Sequence, residues 1–326
     1  MGTHRAAIDL GRKLLPNAVL ALTLTGAIWP PLWSARLSPP QSSDWQIAAG
    51  GRMSFDVISV KKNTTAPARA RNSNFPLGPG DVYVPNGGQF RALNYPLLSF
   101  IEFAYKIDDN QELLLLPQLP KWATTDRFDI QATVKGNPSK DQMRLMMQSL
   151  LADRFRLAVH YETRQIPVFA LLLVTPGKLG PLLQQHPNDS FCATTPWVPS
   201  PAPTAPPEAI DTRFPGPCGG MLGMPPSAPG QFRAGARNVT MELIASSLVS
   251  PEDGVDRPVL DRTGLTGRFD FAIEFTPQDR PAPKSKADSA GINYLQAIRE
   301  QLGLKFEPQT ASLDVFVVDY VEPPLN

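Results

Sequence analysis

Three histidines and two cysteines are the side chains of this 326-residue chain best suited to chemistry near neutral pH. His4 lies in an apolar leader and His186 beside a proline-rich stretch, which leaves His160. In "HYET" the imidazole of His160 and the carboxylate of Glu162 sit two residues apart, on one side of an extended strand. That spacing can support acid–base chemistry, so His160 and Glu162 form the alternative catalytic pair of an exported, hydrolase-like enzyme of unrecognised type. A solvated sheet face is the plainer reading and the one adopted. Cys192 and Cys218 share one irregular stretch. They are expected to form a disulfide whose loop closure stabilises the fold by roughly 3 to 4 kcal/mol. A metal site would need more ligands, and only His186 is near, so no metal is expected. No cofactor is expected either. "GQFRA", at Gly88 to Ala92 and again at Gly230 to Ala234, lacks the glycine spacing and the Lys-Ser/Thr of a phosphate-binding loop. In "PCGGMLGMPP" the prolines prevent the helix start that a dinucleotide fingerprint requires.

Charge and location narrow the partners. With 31 Lys+Arg against 30 Asp+Glu the net charge is +1, which gives no field to hold nucleic acid. Lys61, Lys62, Arg69 and Arg71 make a small basic patch without interleaved aromatic residues, a solvated loop rather than a nucleic-acid site. Arg5, Arg12 and Lys13 precede an apolar run from Leu14 to Trp29, so residues 1–38 read as a signal peptide or an N-terminal membrane anchor. The remainder is expected outside the cytoplasm, periplasmic or secreted, touching a membrane only through that segment.

The elements that must position any site follow from periodicity. After a linker at 39–54, a first α+β unit spans 55–184, a proline-rich, disulfide-pinned loop spans 185–229, and a second α+β unit spans 230–326. In the first unit, Phe90 to Ile107 gives a short extended piece and a helix with Leu97, Phe100, Ile101 and Ala104 on one face. Lys121 to Gly136 reads as a turn and a strand. Ser139 and Gln142 form a capping box before a stripe of Met143, Met146, Met147, Leu150 and Leu151. "RLAVHYETRQIPVFALLLV" then reads as two strands around a polar turn. The second unit repeats the order: Thr240 caps a helix facing inward with Met241, Ile244, Ala245 and Leu248. A helix with Leu295, Ile298 and Leu302 at its core stops at Gly303, and another strand pair closes the chain. Asn94 to Asn238 is 144 residues, Phe128 to Phe269 is 141, and Leu157 to Leu304 and Phe169 to Phe316 are both 147. Near-constant offsets in conserved order point to an internal duplication: two related strand-helix-strand-helix-strand units with helices packed on small mixed or antiparallel sheets. Three strands begin Phe-Asp-apolar, and Asp56, Asp129 and Asp270 are expected as exposed polar residues at strand entry.

The blocks "FDVISVKKN", "LLSFIEFAYKI", "PKWATTDRFDIQATV", "MMQSLLADRFRLAVHYETRQIPVFALLL", "RPVLDRTGLTGRFDFAIEFTP" and "AIREQLGLKFEPQTASLDVFVVDYVEPPLN" occur in that order. In this the chain resembles a soil-associated, acidobacterial family of exported proteins with a domain of unknown function, also found attached to BlaR-type membrane metallopeptidases. The resemblance implies an extracytoplasmic sensing or binding role and carries over no catalytic residue; with the plainer reading of His160 and Glu162 adopted, a non-enzymatic binding, sensing or adaptor module with an envelope protein or peptide as partner is expected. The second half alone is similar to the short N-terminal domains of secretins and TonB-dependent receptors, although "PQDRPAPKSKADSAGI" departs from their pattern.

Overall fold

Apolar residues that alternate with polar ones lay down short strands, and a 3.6-residue stripe covers them with helices. The computed structural model describes residues 44–64, 71–80, 83, 85–187, 212–277 and 292–324. The leader at 1–38 and Cys192 lie outside the described residues, as does most of the proline-rich stretch. In chain order the elements begin with α1 (Asp44–Ala48), β1 (Val57–Asn63), β2 (Asn72–Ser73), β3 (Gln89–Tyr95) and α2 (Leu97–Tyr105). There follow α3 (Asp109–Leu115), a 3-10 turn at Leu116–Gln118, α4 (Lys121–Thr125), β4 (Arg127–Thr133) and α5 (Lys140–Phe155). Then come β5 (Ala158–Leu173), β6 (Leu183–Gln185), β7 (Leu222–Met224), β8 (Phe232–Val239) and α6 (Met241–Ser247). A 3-10 turn at Pro251–Asp253, β9 (Val259–Asp261), β10 (Phe269–Phe275), α7 (Tyr294–Ala297), a π-helical turn at Ile298–Leu302 and β11 (Leu304–Tyr320) complete the chain.

The architecture is α+β. One sheet has the order β1-β4-β3-β2, a second β6-β10-β8-β7, and a third β11-β5-β9. Pairing is antiparallel throughout except between β5 and β9, which run parallel. The first core holds Phe90, Phe100, Ile101, Ile130, Met143, Met147 and Phe155, and the second holds Ala236, Ile244, Phe271, Ile298 and Leu302. The capping box forms as expected: Ser139 Oγ accepts from the Gln142 amide at 3.2 Å and Gln142 Oε1 accepts from the Ser139 amide at 2.8 Å. Thr240 caps α6 through the Leu243 amide, and Gly303, at φ 72°, ends the last helix.

Each core is completed by a strand from the other half of the chain. β5 and β11 are single strands of 16 and 17 residues, not the two strand pairs expected. Their polar middles, "ETRQIP" and "PQTASL", do not turn back because each satisfies its backbone against the other, from Leu173 with Leu304 to Ala158 with Tyr320. β5 ends with Leu171 in the second core, while β11 places Phe316 in the first, against Tyr105 and Tyr161. Residues Pro40–Asn326 accordingly form one compact unit. β6 also crosses over, since Leu183–Gln185 pairs with β10 of the second sheet.

Outward backbone groups of the ribbon alternate. On β5 the odd residues face away, as Phe169 N–H donates to Pro258 and Leu171 C=O accepts from Arg262. On β11 the even residues do, as Asp314, Phe316 and Val318 bond to glutamine side chains. Pro167 and Pro308 fall in these outward positions, where proline costs the ladder no donor and deters addition of a further strand.

Other expectations are corrected. Lys121–Thr125 is a short helix rather than a turn, because Thr124 and Thr125 hydroxyls both bond back to the Lys121 carbonyl. Leu295 is 48% exposed, and its neighbour Tyr294 takes the core position, donating to the Leu248 carbonyl at 2.9 Å. Asp129 and Asp270 are not exposed strand-entry residues; only Asp56 is. Each of the two accepts the backbone amide of a left-handed asparagine on the neighbouring strand: Asn94 (φ 66°) to Asp129 at 2.8 Å, and Asn238 (φ 56°) to Asp270 at 2.9 Å. Both asparagines sit where the strand register shifts, so the carboxylate fixes a bulge that would otherwise leave a buried N–H unpaired.

Candidate functional site

His160 and Glu162 do share one side of β5, but on the ribbon surface. The His160 side chain is 40% exposed, with Nδ1 2.9 Å from Asp319 Oδ1 and Nε2 3.9 Å from Glu162. Glu162 in turn engages Arg164. Neither His160 nor Glu162 lines either of two clefts that lie among the described residues. One, of about 330 Å³, lies between Asp153, Arg154, Arg156 and Glu322; the other, of about 380 Å³, lies between Phe214, Pro217, Leu222 and Met224. Both side chains are thus engaged with exposed charged neighbours on the ribbon, Asp319 and Arg164.

A tighter histidine–carboxylate contact lies in the second sheet. His186 Nδ1 is 2.6 Å from Asp270 Oδ1, and Asp270 is 1% exposed. The sequence sets His186 aside for its place beside the proline-rich stretch, and the partner that the fold gives it lies 84 residues on. The first half holds the same slot: Asn63 Nδ2 donates to Asp129 Oδ1 at 2.8 Å, Asn63 is paired with Arg127, and the His186 amide donates to Arg268. Since Arg127 and Arg268 are related by the 141-residue offset of Phe128 and Phe269, histidine fills the place of a structural amide. Its bonded contacts describe a bulge lock.

Within "SNFPLGPGDVYVPNGG", Gly78, Pro79 and Gly80 are held from below by two buried cations on α5. Arg144 Nη2 donates to the Pro79 carbonyl at 2.8 Å and to Gly80 at 3.0 Å, with Nη1 2.5 Å from Asp141. Lys140 Nζ donates to the Gly78 carbonyl at 3.0 Å and to Gly80. Gly80 also approaches the second half so closely that a Cβ would stand 2.1 Å from the Gly219 carbonyl oxygen. This loop is a structural bracket.

The most perturbed carboxylates surround α3, an element that periodicity did not reveal. Asp108 caps it through the Gln111 amide at 3.0 Å. Its side-chain amides then stand in for strands. Asn110 exchanges two bonds with Val259 of β9 at 2.7 and 2.9 Å, and Gln111 spans Asp314 C=O and Phe316 N–H of β11. Gln118 continues with Phe316 C=O and Val318 N–H. Around this bridge, burial and then the charges of Glu112 and Asp109 push Glu102 up to about 8. Burial also raises Asp108 and Glu112. The run "DDNQE" held the only sequence signal, a capping aspartate followed by amides.

No group of His, Cys, Asp or Glu among the described residues is arranged to hold a metal ion. No described helix is long and apolar enough to cross a membrane. What the fold defines is a class: an α+β protein of two small sheets joined by a crossed-over ribbon. Residues 98–321, more than half of the chain, match the family described as protein of unknown function (DUF3738), and the chain belongs to it. No curated protein is significantly similar to it. Nor is any solved structure.

Proposed function

We propose that the chain is a non-enzymatic extracytoplasmic binding, sensing or adaptor module that presents the middle of the β5–β11 ribbon to an envelope protein or peptide. One observation carries this reading. Between the two cores the ribbon is exposed on both faces, through Thr163, Arg164, Gln165 and Pro167 on β5 and Glu307, Gln309, Thr310 and Ser312 on β11. A two-stranded ribbon alone is marginal in water, and here both ends are anchored in cores, which supports a rigid recognition surface. Pro167 and Pro308 guard its edges, so a partner would read the faces. Export through residues 1–38, periplasmic or secreted placement, the Cys192–Cys218 disulfide and the acidobacterial, BlaR-type and secretin or TonB associations belong to this proposal and rest on the sequence.

The proposal includes the internal duplication. In its support, Gln165 pairs with Ser312, the residue 147 positions on, the same offset that relates Leu157 to Leu304. A ribbon pairing each strand with its own repeat about a central pair is what two related units joined by a local two-fold would make. The left-handed asparagines and their aspartates recur likewise.

The test compares two variants. Thr310→Arg should keep the fold and abolish retention of the envelope partner that the unaltered protein captures; undiminished capture would remove the ribbon from the proposal. His160→Ala should change stability by no more than about 0.5 kcal/mol, since His160 is a surface residue, and should leave capture intact. A hydrolytic activity present in the unaltered protein and lost in folded His160→Ala would favour the enzyme reading instead.

A further inference from the structure

Sheet edges in this fold are short or capped. β2, β6, β7 and β9 are two or three residues long. The Leu183 amide of β6 donates to the Gly180 carbonyl at 3.3 Å, and Asn110 covers β9. On the ribbon, Pro167, Pro308 and the amides of Gln111 and Gln118 hold outward positions of β5 and β11. β1 is the exception among the described edges: it has seven residues, no proline and a partner on one side only. The Val134 amide donates to the Gly88 carbonyl, so even residues of β4 face β3 and its odd residues face β1. Val57, Ser59 and Lys61, opposite Thr133, Gln131 and Asp129, are therefore bonded in the ladder. The N–H and C=O groups of Ile58, Val60 and Lys62 point off the sheet and meet no partner among the described residues. Ile58 and Val60 pack half-buried against the first core, and Val57, on the opposite face, is 64% exposed.

Charge selects the occupant. Lys61 and Lys62, expected in a solvated loop, stand exposed on opposite faces of β1. Lys62 reaches Asp126 at 2.7 Å. Lys61 has no ion pair among the described residues, and Asp129 opposite it is engaged by Asn94 and Asn63. A second copy adding antiparallel to this edge would bring both copies' lysines together, and like charges across strands are destabilising. A strand with carboxylates at those places gains where the copy loses. Proline closes an edge to every strand, whereas lysine closes it only to a basic one.

We propose that β1 is a docking edge: it takes an extended acidic segment of a partner protein as an added antiparallel strand, bonded to Ile58, Val60 and Lys62, with carboxylates beside Lys61 and Lys62. The site belongs to the first sheet and stands or falls without the ribbon.

The probe is a capped peptide, Thr-Glu-Glu-Val-Thr-Val-Thr, and its counterpart with lysine for both glutamates, titrated into the full chain and followed by amide exchange. At saturation the acidic peptide should slow the Ile58, Val60 and Lys62 amides at least about tenfold and leave the outward Ser312 amide of the ribbon unchanged. The lysine peptide should bind about tenfold more weakly or worse. Val60→Pro removes an outward donor without taking a bond from β4, and should abolish binding. If that variant fails to fold, Lys61→Glu should narrow the difference between the two peptides about threefold or more. Equal affinity for both peptides, unchanged exchange at the three amides, or undiminished binding by folded Val60→Pro would each overturn the docking edge. So would protection of these amides that rises with protein concentration alone, the mark of a second copy.

Discussion

Phe316→Ala is expected to lower stability by about 3 to 5 kcal/mol and to unfold both sheets in one transition. The ring is fully buried, 4.8 Å from Tyr105 and 5.4 Å from Tyr161 by ring centroids, yet it arrives in the first core from the last strand of the chain. Removing it leaves a cavity among groups that cannot close in, because α2 and α5 are already packed on the sheet beneath. A loss of that size is a large part of a domain's typical stability. Urea unfolding followed by exchange at Ile130 of the first sheet and Phe271 of the second would decide it. If Phe271 kept its protection while Ile130 lost it, the ribbon would not couple the cores.

Asp270→Ala should cost about 3 to 5 kcal/mol, because it strips acceptors from the Asn238 amide and from His186 in a buried place. Asp129→Ala, which frees the Asn94 amide and Asn63 at a half-buried site, should cost about 1 to 3 kcal/mol. Asp56 is exposed and among the described residues accepts from the Lys135 amide at 3.1 Å, so its alanine variant should stay within about 1 kcal/mol. His186→Asn, which copies the first half, should be milder than His186→Ala. The ordering is read from denaturant midpoints at constant slope. Equal effects at all three aspartates would contradict the bulge-lock role.

Local signals in the sequence were good guides to local structure. Ser139 with Gln142, Thr240 and Gly303 mark helix ends that form where expected, and the Phe-Asp strands fall at β4 and β10. What was hidden depends on distant partners. "ETRQIP" looks like a turn because its polarity is that of a loop, and nothing nearby in sequence shows that "PQTASL" will pair with it. Asp270 looks like a surface carboxylate until Asn238 and His186 are folded against it. The α3 amides carry no apolar period, since their task is to close the edges of β9 and β11. His160 and Glu162 were correctly placed on one face, but that face's chemistry was set by Asp319 and Arg164, the first of them 159 residues away.

The crossed ribbon also sets an order in time. Its pairs join residues from 131 apart, at Leu173 and Leu304, to 162 apart, at Ala158 and Tyr320. Such separations slow folding, because long loops must close before the contacts that reward closure exist. A nascent chain that has finished α5 still lacks Phe316, and so carries an open apolar slot until β11 has been made. Of the described strands the one made latest seals the core begun first, so the two halves cannot fold one after the other as they emerge.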